Sequence, residues 1–206
     1  MRLAAKSTNW VICCAVLWLT SCQKELDNSD PGTGNTNAIT GQYNFVAMTA
    51  GTYSSVTVSL QGSELKAITV SDYVTQNNVG TATITSSDII FEGVGYAIDT
   101  TANTKTYIDG TLADEADLPF VLTVSPANST YPYTRVNNDS LSVIGTLGVP
   151  NPTGAAPAGP VGVKFSWSGD TLLLSIASSI TQNVSQGGVP GTLTGFVNGV
   201  AKLKKR

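Results

Sequence analysis

Three carboxylates lie close together in the middle of the chain, at Asp114, Glu115 and Asp117. Oxygen ligands at such close spacing could hold a calcium ion. The spacing does not match an EF-hand loop, which needs alternating ligands and a bidentate Glu at its twelfth position. Because the cluster follows Asp109-Gly110, a dipeptide typical of tight turns, we predict a solvated loop there and no metal site.

Glu92 is the acidic residue with the most apolar sequence context, between Phe91 and Gly93. Strand alternation places it on the face of Ile90 and Val94, which predicts a side chain directed into the interior. A glycosidase needs two carboxylates at a set separation, and Glu92 has no such partner. The chain also lacks histidine, the commonest general base, and any Gly-x-Ser-x-Gly elbow. We therefore predict that the protein is not an enzyme. We also predict no catalytic residue, no metal site and no cofactor.

The chain begins with the pattern of a secretory signal. Arg2 and Lys6 precede an apolar segment of ten residues, 10–19, and the small residue Ser21 stands directly before Cys22. A basic start, an apolar core and a small-residue ending are typical of a cleaved signal peptide. The segment is too short to cross a bilayer, which takes roughly 20 apolar residues. We predict a signal peptide over residues 1–21, with cleavage between Ser21 and Cys22.

The Ser21-Cys22 ending resembles the lipobox of bacterial lipoproteins, a family that lipidates this cysteine and cleaves before it. The resemblance implies a lasting anchor in the outer membrane of a bacterial envelope, because several acyl chains bind a membrane stably. Residues 23–27, QKELD, look like the Lys-acidic stretch of surface-exported lipoproteins in the Bacteroidetes, which implies display at the cell surface. The other interpretation is the start of a solvated tether. We expect Cys22→Ala to release a soluble, folded protein.

The charge distribution argues against a nucleic-acid partner. Cleavage would leave nine basic and fourteen acidic residues, a net charge of −5. Four of the nine basic residues crowd the C-terminus, at Lys202, Lys204, Lys205 and Arg206. The rest of the chain is therefore acidic and repels phosphate backbones.

Residues 22–38 are predicted to form a flexible tether, and residues 39–206 a single all-β domain. The tether contains DNSDPGTGNTN, which is polar and has no hydrophobic period. Beyond it, apolar residues alternate with polar ones, as in strands with one buried face. Turn-forming residues separate the apolar runs, at 86–88, 109–110, 137–139 and 168–170. About ten short strands with such turns indicate an antiparallel barrel or, alternatively, a two-sheet sandwich.

One segment departs from the strand pattern. Residues Gly148–Pro160 contain four prolines, which cannot donate hydrogen bonds to a sheet. We predict an exposed loop there. Loops of about a dozen residues can bind or cover a site, and we favour the other interpretation, a tolerated insertion.

The opening of the domain, Gly41-Gln42-Tyr43, resembles the Gly-x-Trp motif on the first strand of lipocalin-like barrels, with Tyr43 in place of Trp. The family sets a basic residue of its last strand against that aromatic ring, a role that Lys202 or Lys204 could take. The chain also resembles uncharacterised lipocalin-like lipoproteins of the Bacteroidetes. The resemblance implies an eight-stranded up-and-down barrel, whose interior is either filled by side chains or holds one small ligand.

These observations predict an envelope-anchored lipoprotein whose lipocalin-like domain binds a small apolar or amphipathic ligand. The sequence does not identify the ligand-binding residues. The alternative is a structural or adhesive cell-surface protein without a ligand cavity, which contacts its partners through an acidic exterior and the loop at Gly148–Pro160. An apolar interior cavity of about 300 Å³ or more would favour the ligand. A filled core would favour the structural alternative.

Overall fold

The computed structural model of the protein describes residues 39–149 and 159–206. The predicted signal peptide, the tether and Cys22 lie outside the described residues, so those predictions stay as they are. No helix among the described residues is long and apolar enough to cross a membrane.

The described residues form an all-β domain, as the alternation of apolar residues predicts. Ile39 is fully buried just before the first strand. The strands are β1 (Gly41–Leu60), β2 (Ser63–Val74), β3 (Gln76–Ile84), β4 (Asp88–Ile108), β5 (Thr111–Arg135), β6 (Ser140–Val143), β7 (Val161–Ser168), β8 (Thr171–Gln186) and β9 (Val189–Lys205). All of their pairings are antiparallel.

The nine strands form one sheet that closes on itself. Each strand from β3 to β8 pairs with the next, and β9 pairs back along β1. The strands β2 and β3 together fill one position between β1 and β4, interrupted at Thr75. Closure of a single sheet is the arrangement of a barrel, and among residues 39–149 and 159–206 it leaves the lower part without a free edge.

The barrel has two unlike halves because its strands differ in length. The lower ring contains eight strand segments, those of β1, β3, β4, β5, β6, β7, β8 and β9 nearest the turns at 85–87, 136–139 and 169–170. Six strands continue beyond it as the upper wall, in the order β8, β9, β1, β2, β4, β5. Their upper ends meet at the turns 61–62, 109–110 and 187–188.

The hydrophobic core lies in the lower ring. Side chains with no more than 2 % exposure come from strands around the ring, among them Tyr43, Met48, Ile89, Leu141, Leu174 and Leu203. In the upper wall the same alternation leaves Leu60 and Leu65 about half exposed. The turns predicted at 86–88, 109–110, 137–139 and 168–170 all join consecutive strands, and these predictions are confirmed.

Candidate ligand cavity beneath the β6–β7 connection

The start of the β6–β7 connection enters the barrel. Leu147 and Val149 are buried, at 1 % and 4 % exposure. The prediction that the whole of Gly148–Pro160 is an exposed loop is therefore wrong at Val149, while residues 150–158 lie outside the described residues. The physical reason is that β6 has only four residues. The strand ends at the fully buried Val143, so the chain that follows it can place apolar side chains over the core.

A tight turn aims Leu147 at the core. The Val149 N–H donates to the Thr146 carbonyl at 3.0 Å, and both central residues have positive φ, 50° at Leu147 and 73° at Gly148. This is a type I′ turn, which glycine and asparagine adopt easily and leucine does not. A leucine at positive φ costs roughly 1–2 kcal/mol. Burial of its side chain offsets that cost.

Two tyrosines hold the turn in place. The Tyr96 hydroxyl donates to the Gly148 carbonyl at 2.7 Å. The Tyr131 ring packs so closely against Gly145 that a Cβ there would lie 2.7 Å from the ring. Because Gly145 has φ of 112°, both its backbone conformation and its space favour glycine.

A cavity of about 190 Å³ lies directly beneath this turn. We call it the Leu147 cavity. Its walls are the inner faces of β1, β4 and β5 and the turn itself, with Phe45, Met48, Phe91, Val94, Tyr96, Val124, Ala127, Ser129, Tyr131, Leu147 and Gly148 around it. Ala127 and Gly148 are exposed, so the cavity reaches the surface beside them. The lining is mostly aromatic and aliphatic, with hydroxyls on Ser129 and on the tyrosines.

Burial changes the acidity of the Tyr96 phenol. Removal from water, together with the neighbouring Tyr131, raises the pKa of Tyr96 to about 12. The phenol therefore stays protonated near neutral pH and remains the donor to the Gly148 carbonyl. The cavity wall thus carries a neutral hydroxyl and no charge at this point.

Two larger grooves lie mainly on the outer face of the barrel. One of about 550 Å³ crosses β9, β1, β2 and β4 near the break at Thr75 and includes Asp72 and Asp99. The other, of about 380 Å³, crosses β6 to β9 around Lys164 and Ala177. The Leu147 cavity, at about 190 Å³, is smaller than the interior cavity of about 300 Å³ that would favour a ligand, and the two larger volumes are surface grooves.

The prediction for Glu92 is wrong. Its side chain is exposed, opposite Thr81 on β3, while Phe91 points inward. The cause is a register shift between Phe91 and Val94, at Gly93 with φ of 58°. An extra residue in a strand changes the face of the residues beyond it. Val94 therefore lines the cavity although Glu92 does not share its face.

The carboxylates at 114–117 lie on β5 and not in a loop, so that prediction is also wrong. Strand β5 starts directly after the Asp109-Gly110 turn, and its register with β4 places Asn103 and Lys105 opposite Asp117 and Glu115. The Asn103 amide donates to both Glu115 and Asp117, at 3.0 and 2.9 Å. The Lys105 ammonium lies 3.3 Å from Glu115.

The Asn103 hydrogen bond, with help from Lys105, holds the pKa of Glu115 below its ordinary value. Two of the three acids therefore already have partners on the neighbouring strand. No group of three or more potential ligand side chains suited to a metal occurs among the described residues.

Tyr43 closes the lower end of the barrel. It is fully buried, its hydroxyl donates to the Ile39 carbonyl at 2.6 Å, and its ring centroid lies 6.2 Å from that of Trp167. Lys202 and Lys204 do not take the place expected against this ring. They alternate with the inward residues of β9 and so face outward, where Lys204 lies 3.4 Å from Asp170.

The cavity residues were missed in the sequence because no motif marks them. The one local signal is Gly145-x-x-Gly148 after β6, two glycines that predict a turn with positive φ. Tyr96 and Tyr131 come from strands whose alternation identifies an inner face but not what that face surrounds.

Comparisons with protein-family models, with curated proteins and with solved structures find no match to this chain.

Proposed function

We propose that the protein is an envelope-anchored binding module that takes one small apolar or amphipathic molecule in the Leu147 cavity. The observation that carries the proposal is the lining of this cavity, in which apolar side chains surround about 190 Å³ and a few hydroxyls stand among them. Apolar concave sites with a small number of polar groups are the usual form of a ligand pocket. The anchor would be the lipid on Cys22.

The volume limits the ligand. A cavity of about 150 Å³ can bind benzene, whereas drug-sized ligands occupy about 300–1,000 Å³. The proposed ligand is therefore a single aromatic ring or a short aliphatic chain with one polar group. A long acyl chain exceeds the space.

Binding of small probes to the mature chain carrying Cys22→Ala tests the proposal. We expect toluene, p-cresol or indole to raise the Tm in a saturable way and to shift the NMR signals of residues around Tyr131. Val124 lines the cavity, so Val124→Phe should fill it and abolish both effects. Val121 points outward and is 67 % exposed, so Val121→Phe is the matched control and should bind as the wild type does.

Two results would contradict the ligand proposal. The first is that none of these probes binds the wild type. The second is that Val124→Phe folds, by circular dichroism, and still binds them with unchanged affinity.

The second candidate, a structural or adhesive surface protein, is favoured by a separate observation. Among the described residues, the upper wall ends in two strand segments that have a partner on one side only, residues 111–131 of β5 and Ala177–Gln186 of β8.

The loop that this candidate uses for partner contact can be tested by deletion. Because Val149 is buried, deletion of 150–158 is the appropriate test of the loop. Loss of partner capture at unchanged Tm would favour this candidate, and Val124→Phe should leave that capture intact.

A further inference from the structure

The start of β1 and the end of β9 lie together at the lower end of the barrel. The Arg206 N–H donates to the Gln42 carbonyl at 3.0 Å, and the Lys205 N–H donates to the Asp170 carbonyl at 2.9 Å. The predicted tether leads into β1, so it joins the domain at the same end of the barrel as the basic residues that end β9.

These basic residues form a positive border at the lower end, which we call the basic rim: Lys202, Lys204, Lys205 and Arg206. Lys204 lies 3.4 Å from Asp170, and the Arg206 Nε donates to the Asn44 side-chain oxygen at 2.9 Å. Within the described part of the chain, no carboxylate forms an ion pair with Lys202 or Lys205. At least two charges of the rim are therefore available to an external anion.

The two ends of the barrel carry opposite charge. Around the lower turns, the basic rim and Arg135 outnumber the acidic residues Asp88, Asp139 and Asp170. Around the upper turns at 61–62 and 109–110, five acidic residues outnumber two basic ones, Lys66 and Lys105. The five are Glu64, Asp109, Asp114, Glu115 and Asp117. An anionic surface would therefore attract the lower end and repel the upper end.

Trp167 lies at the lower end as well, close to the turn at 169–170. It is 40 % exposed, and its ring centroid lies 6.2 Å from that of Tyr43. Tyr43 in turn lies opposite Lys205 in the register of β1 with β9, so the indole and the basic rim share one surface. Tryptophan is enriched at membrane–water interfaces, where its ring lies at the level of the headgroups.

We propose that the lower end of the barrel is the membrane-facing surface of the domain. The basic rim binds the phosphates of anionic phospholipids there, and Trp167 lies among the headgroups. Three independent features coincide at this end, namely the excess of positive charge, the exposed indole and the point where the tether enters. The upper wall then points away from the membrane, because its acidic end is repelled by the same surface.

The tether allows this contact. Seventeen residues, 22–38, separate the predicted anchor from Ile39, and such a chain reaches at most about 60 Å. The anchor therefore keeps the lower end near the membrane, and the basic rim selects the orientation. The proposal rests on the anchor of the proposed function and is independent of the ligand in the Leu147 cavity.

The sequence supplies its own probes for a test. Cys22 is the only cysteine of the mature chain and Trp167 its only tryptophan. The mature chain is coupled through Cys22 to a maleimide phospholipid in phosphatidylcholine vesicles that contain a headgroup spin label, with or without phosphatidylglycerol. We expect the spin label to quench Trp167 fluorescence more strongly when phosphatidylglycerol is present. High salt should remove the difference, because it screens the charges.

Two double variants of equal net charge locate the contact. Each basic residue near an anionic surface contributes about fivefold to binding. Lys202→Gln/Lys205→Gln should therefore shift the equilibrium from docked to undocked chains roughly 25-fold. Lys66→Gln/Lys105→Gln removes the same charge at the upper end and is the matched control, which should dock as the wild type does.

A second reporter tests the orientation. Leu60 lies at an upper turn and is 54 % exposed, so in Trp167→Phe/Leu60→Trp the new indole should escape quenching. Circular dichroism checks that each variant folds.

Three results would overturn the proposal. The first is equal quenching of Trp167 with and without phosphatidylglycerol, and the second is equal docking of the two double variants. The third is quenching of the indole at residue 60 as strong as that of Trp167. Coupling supplies the anchor, so none of these results depends on lipidation in the cell. Val124→Phe, which fills the Leu147 cavity, should dock normally, so a failure of the ligand proposal would be distinct.

Discussion

The lower ring and the upper wall are built from the same strands with the same period-two alternation, yet they differ in what the alternation achieves. In the ring, inner-face side chains such as Leu174 and Leu203 are fully buried. In the wall, Leu65 points to the same face and is 40 % exposed. The difference is closure, because eight strand segments enclose the ring and only six continue into the wall.

The two regions therefore differ in their contribution, the ring mainly to stability and the wall mainly to interaction. A closed ring buries apolar area on every side, and each buried methylene contributes about 0.8 kcal/mol. Within the described part of the chain, the wall has two strand edges without a partner and half-exposed inner side chains, so it contributes less to stability per residue. Regions with fewer buried contacts are where local opening and binding concentrate. Both the Leu147 cavity and the segment Ala177–Gln186 of β8, which pairs with β9 alone among the described strands, lie where strands of the ring stop.

The largest expected effect is a loss of stability on substitution in the core of the ring. Leu174→Ala removes a fully buried side chain and should lower the free energy of unfolding by about 2–5 kcal/mol. Leu65→Ala makes the same change on the same face of the wall and should cost less than about 1 kcal/mol. Urea unfolding monitored by circular dichroism measures both. Equal costs would show that the wall is as well packed as the ring.

The second effect follows from the buried tyrosines. Burial raises the pKa of Tyr43, Tyr73, Tyr96 and Tyr133, in the case of Tyr96 to about 12. A raised folded-state pKa means that the contribution to stability is complete below pH about 10, the pKa of a free tyrosine, and is lost as pH rises towards the folded-state value. Stability should therefore fall steeply above pH about 10. Tyrosinate absorbance and circular dichroism should change together.

Tyr96→Phe sharpens this prediction. It removes the donor to the Gly148 carbonyl and should cost about 0.5–1.5 kcal/mol at neutral pH, the usual net contribution of one hydrogen bond. It should also make the alkaline loss of stability shallower. If the pH profile of the variant parallels that of the wild type, Tyr96 does not contribute to the alkaline transition.

The sequence predicts those parts of the fold that neighbouring residues determine, and it fails where pairing with a distant strand decides. The turns at Asp109-Gly110 and Ser168–Asp170 are confirmed because their residues determine the backbone locally. Alternation along β4 alone predicts the wrong face for Glu92, because the register shift at Gly93 depends on the pairing with β5.

The candidate site is harder to predict for the same reason. Val149 lies in a proline-rich segment and is nevertheless buried, because the short strand β6 leaves room above the core. The volume of the Leu147 cavity depends on three strands and a turn that meet only in the folded chain. The sequence predicts an inner face, and long-range packing decides whether that face is filled.

The smallest expected effect concerns the outer face of the wall, where Glu115 is bonded by Asn103 and Lys105. Because its folded-state pKa is lowered, any contribution to stability is present above the ordinary pKa and is lost as pH falls through the lowered one. Asn103→Ala removes the main cause and should raise the pKa of Glu115 towards its ordinary value, as measured by NMR titration of the carboxyl carbon. Thr101→Ala, on the same face of β4, is the control and should leave it unchanged. A pKa that stays low in Asn103→Ala would assign the shift to Lys105, and the exposed wall would then be held by ion pairing instead of by hydrogen bonds across its strands.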